Sequence, residues 1–208
     1  MAVVTTTDGR SPLGVVRSTG GLIALCLMVM WAVEGLDTFV FGDRLQQSGI
    51  QPRQARGLDG ILWAPFLHSG WRHLISNTIP FAVLGGLVAV RGRGRWVTVT
   101  ALSALLGGSM TWLFAGSGNH LGASGVVFGY LGALVGAAIF ERRPASIAPA
   151  LVAILLYSGM VVGFVPQTGL SWEGHVFGAI AGLTAAKFLA EPDSPRPEDE
   201  DDGYWSGF

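Results

Sequence analysis

An all-helical membrane protein, a bundle of six spans, is the fold class this sequence predicts, and three observations predict it. The composition is 50% hydrophobic and 13% charged with a mean hydropathy of +0.49, too apolar for an ordinary soluble domain. Charge is also confined: residues 71–190 hold nine charged side chains, and the stretches 96–140 and 144–172 hold none. The apolar sequence then divides into six segments, each long enough to cross a hydrocarbon core of roughly 30 Å as a helix.

Residues 1–18 are polar and carry Arg10 and Arg17, and read as an N-terminal segment ahead of the membrane domain 19–190. The first apolar segment, 20–41, exceeds a signal-peptide core and lacks a small-x-small cleavage site, so an uncleaved span is expected. The connection 42–70 mixes Arg44, Arg53, Arg56 and Asp59 with Ile61, Leu62, Trp63, Phe66 and Leu67, the pattern of a loop lying in the membrane interface. Five further spans follow at 71–90, 96–114, 124–140, 146–165 and 174–190, each 17 to 20 residues long. The tail 191–208 holds seven acidic residues and three prolines, a composition that cannot bury a core and predicts disorder.

Arginine placement orients the bundle. With a cytoplasmic N-terminus, Arg10, Arg17, Arg91, Arg93, Arg95, Arg142, Arg143, Lys187 and Arg196 lie inside, against Arg44, Arg53, Arg56 and Arg72 outside. Both termini are then cytoplasmic. A net charge of −1 gives no field for nucleic acid, and a single cysteine, Cys26, excludes an internal disulfide and a cysteine metal site.

Ionisable and polar groups inside a membrane are expensive and therefore point to function. Gly122-Ala123-Ser124-Gly125 sets a serine hydroxyl at the N-terminus of the fourth span, where unpaired N–H groups and the helix dipole favour developing negative charge. His73 and Asn77, four apart, share one face at the start of the second span. His175 opens the sixth. Spans two, four and six all start at the same membrane face, so these four residues fall at one depth. Glycines at 125, 129, 132 and 136, and at 174, 178 and 182, would let the fourth and sixth spans close on each other. An imidazole within hydrogen-bond reach activates a serine, and an amide with a second imidazole can supply oxyanion donors.

Taken together, G-x-S-G at 122–125, H-x-x-x-N at 73–77 and G-H-x-x-G-x-x-x-G at 174–182, in this order on a six-span profile, resemble the rhomboid intramembrane serine proteases over residues 58–189. The resemblance implies Ser124 as nucleophile and His175 as general base in a dyad, with His73, Asn77 and the Ser124 backbone N–H as the oxyanion hole. Gly122, Gly125 and Gly178 belong to the matching motifs, and Phe128 is similar to the aromatic that packs on the catalytic imidazole. Glu173 lies two residues from His175, on another side of a helix, so no acidic third member is expected. His68 matches a histidine of the family's first loop and reads as structural, whereas the family's aromatic-arginine pair in that loop is not evident.

Other chemistries fail on sequence grounds. Val126 stands where an α/β-hydrolase elbow requires glycine, and neither His-Glu-x-x-His nor a Cys/His cluster offers zinc ligands. No cofactor or metal is implied. His120 reads as a solvated loop residue; Glu34 and Asp37 as groups that snorkel or bond to the outer loop; Trp31, Trp63, Trp71, Trp96, Trp112 and Trp172 as interfacial anchors.

The function expected is hydrolysis of peptide bonds in or near transmembrane segments of protein substrates, in a lipid bilayer expected to be a bacterial cytoplasmic membrane. Breakers at Gly163, Pro166 and Gly169 mark the fifth span and the loop after it as the mobile elements that admit substrate. A catalytically silent relative that binds membrane clients is the alternative; it would lack the serine or histidine, and this chain has both. A small transporter would show paired repeats and polar groups across the membrane, whereas these gather at one end.

Overall fold

The computed structural model describes residues 12–167 and 169–190; the acidic tail lies outside them. Its elements are α1 (Pro12–Leu36), continued by a π turn Asp37–Phe41; the short α2 (Gly60–Trp63); α3 (Trp71–Ala89); α4 (Arg93–Phe114); α5 (Ser124–Glu141); α6 (Pro144–Tyr157), continued as 3-10 helix over Ser158–Phe164; and α7 (Trp172–Phe188). Among the described residues β structure is limited to one antiparallel bridge, Ile50 to His120. Among the described residues four segments are long and apolar enough to cross a membrane: Thr19–Phe41, Arg93–Phe114, Ser124–Glu141 and Pro144–Phe164. The other two long helices, α3 and α7, carry His73, Asn77 and His175.

The centre of the bundle is α5, which packs against α3, α4, α6 and α7. Val126, Val127, Tyr130, Ala133, Leu134 and Ala137 are buried on it, against Leu74, Phe81 and Leu84 of α3 and Trp96 and Val99 of α4. Its contact with α7 is made by backbone. A Cβ on Gly178 would collide with the Gly125 carbonyl, one on Gly182 with the Gly129 carbonyl, and one on Gly132 with the Ala179 carbonyl. Hydrogen in place of a side chain is what lets these axes approach.

The fifth span departs from a uniform helix over 146–165. It is α-helical only to Tyr157, and Ser158, Gly159 and Gly163, weak helix formers, coincide with the tighter 3-10 winding. Trp96 also departs from its expected interfacial role: it is 4% exposed and packs toward Tyr130, with ring centroids 6.5 Å apart. The turn at Gly92 (φ 128) brings the first helical turn of α4 over α5, so Trp96 faces protein.

The two ends of the bundle are tied differently. At one end Glu141, 2% exposed, accepts hydrogen bonds from Arg91, from Ser146 and from Arg95 (3.1 Å), with Arg143 at 3.6 Å. Arg95 also donates to the Leu189 carbonyl at 2.7 Å, so the cluster joins the α3–α4 turn, α5, the start of α6 and the chain after α7. At the other end Arg53 donates Nη1 to the carbonyls of Leu113 (3.1 Å) and Ala115 (2.7 Å), and its backbone N–H to Trp112 (3.0 Å). These close the open end of α4 and anchor the first loop in the absence of the aromatic-arginine pair. Asp37 accepts from the N–H groups of Leu45 (2.7 Å) and Gln46 (3.0 Å), bonding the end of the first span to that loop.

Candidate active site

Gly122 decides how the chain enters α5. Its φ of 111 lies where L side chains are strained, and its N–H donates to the Ala64 carbonyl at 2.9 Å. A Cβ there would sit 2.7 Å from both Cε1 and Nε2 of His73 and 3.7 Å from Nδ2 of Asn77. The imidazole and the amide of α3 therefore close around the turn that presents Ser124.

On α3, Asn77 is 5% exposed and donates to the His73 carbonyl at 3.0 Å. Ser69 lies just before the helix; its N–H donates to His73 Nδ1 at 3.3 Å and its hydroxyl lies 3.1 Å from the same atom. An accepting Nδ1 leaves the proton on Nε2, the atom that faces Gly122. His68 is 1% exposed, its ring edge-on to His73 at 5.1 Å, and its Nε2 accepts from the Ala123 N–H at 3.4 Å. Burial, with the neighbouring His73 imidazole adding to it, pushes the His68 imidazole down to about 4, so it works as a neutral acceptor that holds the turn.

On α7, His175 is 4% exposed, with Nε2 2.9 Å from Ser124 Oγ and Nδ1 2.8 Å from the Gly163 carbonyl. Phe128, one turn after Ser124, stacks on the imidazole with centroids 4.2 Å apart and planes at 12°. Glu173 accepts from the Gly116 N–H at 3.1 Å, directed at the loop before α5. Ser124, His73, Asn77 and His175 together line a cavity of about 380 Å³, along with Ser69 and Leu170. Gly125 and Gly178 are the α5–α7 contact that holds Ser124 and His175 at this spacing.

Several participants escaped the sequence reading. The Gly163 carbonyl is a backbone atom and leaves no side-chain signature; only its glycine breaker could have drawn attention. Ser69, four residues before His73, had the spacing of a helical neighbour but lies outside the helix. His120 is not simply solvated: its Nδ1 lies 2.6 Å from Ser171 Oγ and its Nε2 3.2 Å from the Gly116 carbonyl, because the bridge to Ile50 turns it inward. Among the described residues no group of three or more His, Cys, Asp or Glu side chains could hold a metal.

This geometry meets the comparisons with known proteins. The family model described as the rhomboid domain matches residues 56–192. The chain belongs to the rhomboid family. It is thus an integral membrane protein with a rhomboid-like helical bundle, and the match begins in the first loop, leaving α1 outside. Among its relatives, an uncharacterized protein of Mycobacterium tuberculosis is 39% identical over 199 residues, covering 91% of this chain and 82% of that one. Rhomboid protease GluP of Bacillus subtilis is 30% identical over 129 residues, covering 61% of this chain and 25% of GluP. Rhomboid protease GlpG of Salmonella newport is 32% identical over 134 residues, covering 58% of this chain and 45% of GlpG.

Proposed function

We propose that this rhomboid is an intramembrane serine endopeptidase that hydrolyses peptide bonds in or near the transmembrane segments of membrane proteins. The observation that carries the reading is the 2.9 Å approach of His175 Nε2 to Ser124 Oγ in a cavity shared with His73 and Asn77. Nε2 takes the hydroxyl proton as Oγ attacks the scissile carbonyl, and the developing oxyanion is met by the Ser124 N–H, His73 Nε2–H and the Asn77 amide. The proton then passes to the leaving amine, and water hydrolyses the acyl-enzyme by the same base. The 380 Å³ cavity supplies the polar space that water requires within an apolar bundle.

The substrate's own helix must unwind near the cut, because a hydrogen-bonded backbone is closed to attack. Helix-destabilising residues there favour cleavage. The same reading puts the protein in the bacterial cytoplasmic membrane, multi-pass, with residues 1–18 and the tail from 191 on the cytoplasmic side, in accord with the arginines at 91, 93, 95, 142 and 143 at the end opposite the cavity.

The deciding experiment is co-reconstitution with a single-span test protein. Wild type is expected to cut it, while Ser124→Ala and His175→Ala are silent. Cleavage by Ser124→Ala would remove the assignment, and an inert wild type that still co-purifies with the test protein would put client binding in its place.

A further inference from the structure

A carbonyl oxygen can only accept, so the 2.8 Å contact between Gly163 O and His175 Nδ1 puts a proton on that nitrogen. The other ring nitrogen, 2.9 Å from Ser124 Oγ, is then left with its lone pair, the tautomer that a general base requires. Among the described residues no carboxylate makes that choice, since Glu173 accepts from the Gly116 N–H instead. The choice is made by main chain, and by main chain of a different element.

Gly163 belongs to the 3-10 segment Ser158–Phe164, of which no residue is buried. Val161 and Val162 are 64% and 59% exposed. Met160 packs the segment against the core, and at the site Phe164 sits edge-on to Phe128, centroids 4.8 Å apart, while Phe128 in turn stacks on His175. A Cβ at position 163 would lie 2.6 Å from Phe128 Cζ and 3.1 Å from His175 Nδ1, so only glycine brings its carbonyl this close.

We propose that the Gly163 carbonyl is the positioning group of the His175 base, held in place by the contact of Phe164 with Phe128 at the end of α6. Docked, the segment fixes the Nδ1–H tautomer and turns Nε2 toward Ser124. Without that carbonyl the ring is free to take the other tautomer, and Ser124 loses its base. The inference rests on the protease reading of the Ser124–His175 pair.

The test is a tautomer measurement joined to a nucleophile assay. The full chain, labelled with nitrogen-15 histidine and held in lipid, contains only four histidines, and the His175 signals are those lost in His175→Ala. Wild type is expected to show the Nδ1–H tautomer, and Gly163→Ala to lose that preference and to label with a fluorophosphonate at least tenfold more slowly. Phe164→Ala, which loosens the segment without touching His175, is expected to show mixed tautomers and at least threefold slower labelling; it carries the test if Gly163→Ala fails to fold. An Nε2–H tautomer in wild type, or Nδ1–H with wild-type labelling in the folded variants, overturns the proposal. A wild type with Nδ1–H that never labels supports the positioning contact and counts instead against the protease reading.

Discussion

An asparagine amide has two N–H groups, and at Asn77 one of them is already engaged with the His73 carbonyl at 3.0 Å. That bond fixes the rotamer and leaves the second N–H for an oxyanion, so the donor is oriented before substrate arrives. Asn77→Ala is accordingly expected to lower kcat on the order of a hundredfold, about 3 kcal/mol, with little change in KM, read from steady-state cleavage of a reconstituted substrate. His68 governs a different quantity. Its folded-state pKa of about 4 lies below the ordinary 6.5, so the unfolded chain binds the extra proton first. Its contribution is fully present above pH 6.5 and is lost as pH falls toward 4, by roughly 3 kcal/mol in all. Thermal unfolding across that window should show a steep decline for wild type and a shallower one for His68→Gln; equal slopes would refute the buried neutral state.

Glycine means different things at different places on these helices. Gly182 faces the Gly129 carbonyl so closely that a methyl has no room, whereas a methyl on Gly86 of α3 meets nothing within 4 Å. Gly182→Ala should therefore cost about 1–3 kcal/mol of overpacking, while Gly86→Ala should be neutral or stabilise by up to about 1 kcal/mol through helix propensity. Melting temperatures of the two variants in one detergent measure the contrast. The stripe at 174, 178 and 182 was legible in the sequence because small residues at four-residue spacing mean one thing in a membrane. The all-helical membrane class was equally legible from apolar segment lengths. What could not be read were contacts made by backbone or set by tertiary approach: the Gly163 carbonyl, the Arg53 clamp on α4, the inward turn of His120, and the burial of Trp96. Periodicity reports which face a residue is on, and says nothing of which neighbour arrives there.

At the scale of the whole molecule the chain separates its two charged or polar clusters by the length of a helix: α5 begins at Ser124 and ends at Glu141. Glu141 holds Arg91 and Arg95 with their side chains only 12% and 11% exposed, so the carboxylate balances cations that have little water of their own. Its removal leaves those charges facing one another, and breaking such a buried pair costs about 3–5 kcal/mol. Glu141→Gln keeps the shape and can still bond Ser146, so it isolates the charge from the packing. The expected result is a melting temperature lower by several degrees together with fluorophosphonate labelling per folded molecule within twofold of wild type. The cluster fixes where the helices end, while the approach of His175 to Ser124 is set by the glycine contact of α5 with α7 at the other end. A labelling rate that fell tenfold at unchanged folded fraction would mean that the two ends of α5 do not act independently, and that the ion cluster sets the register of α5 against α7.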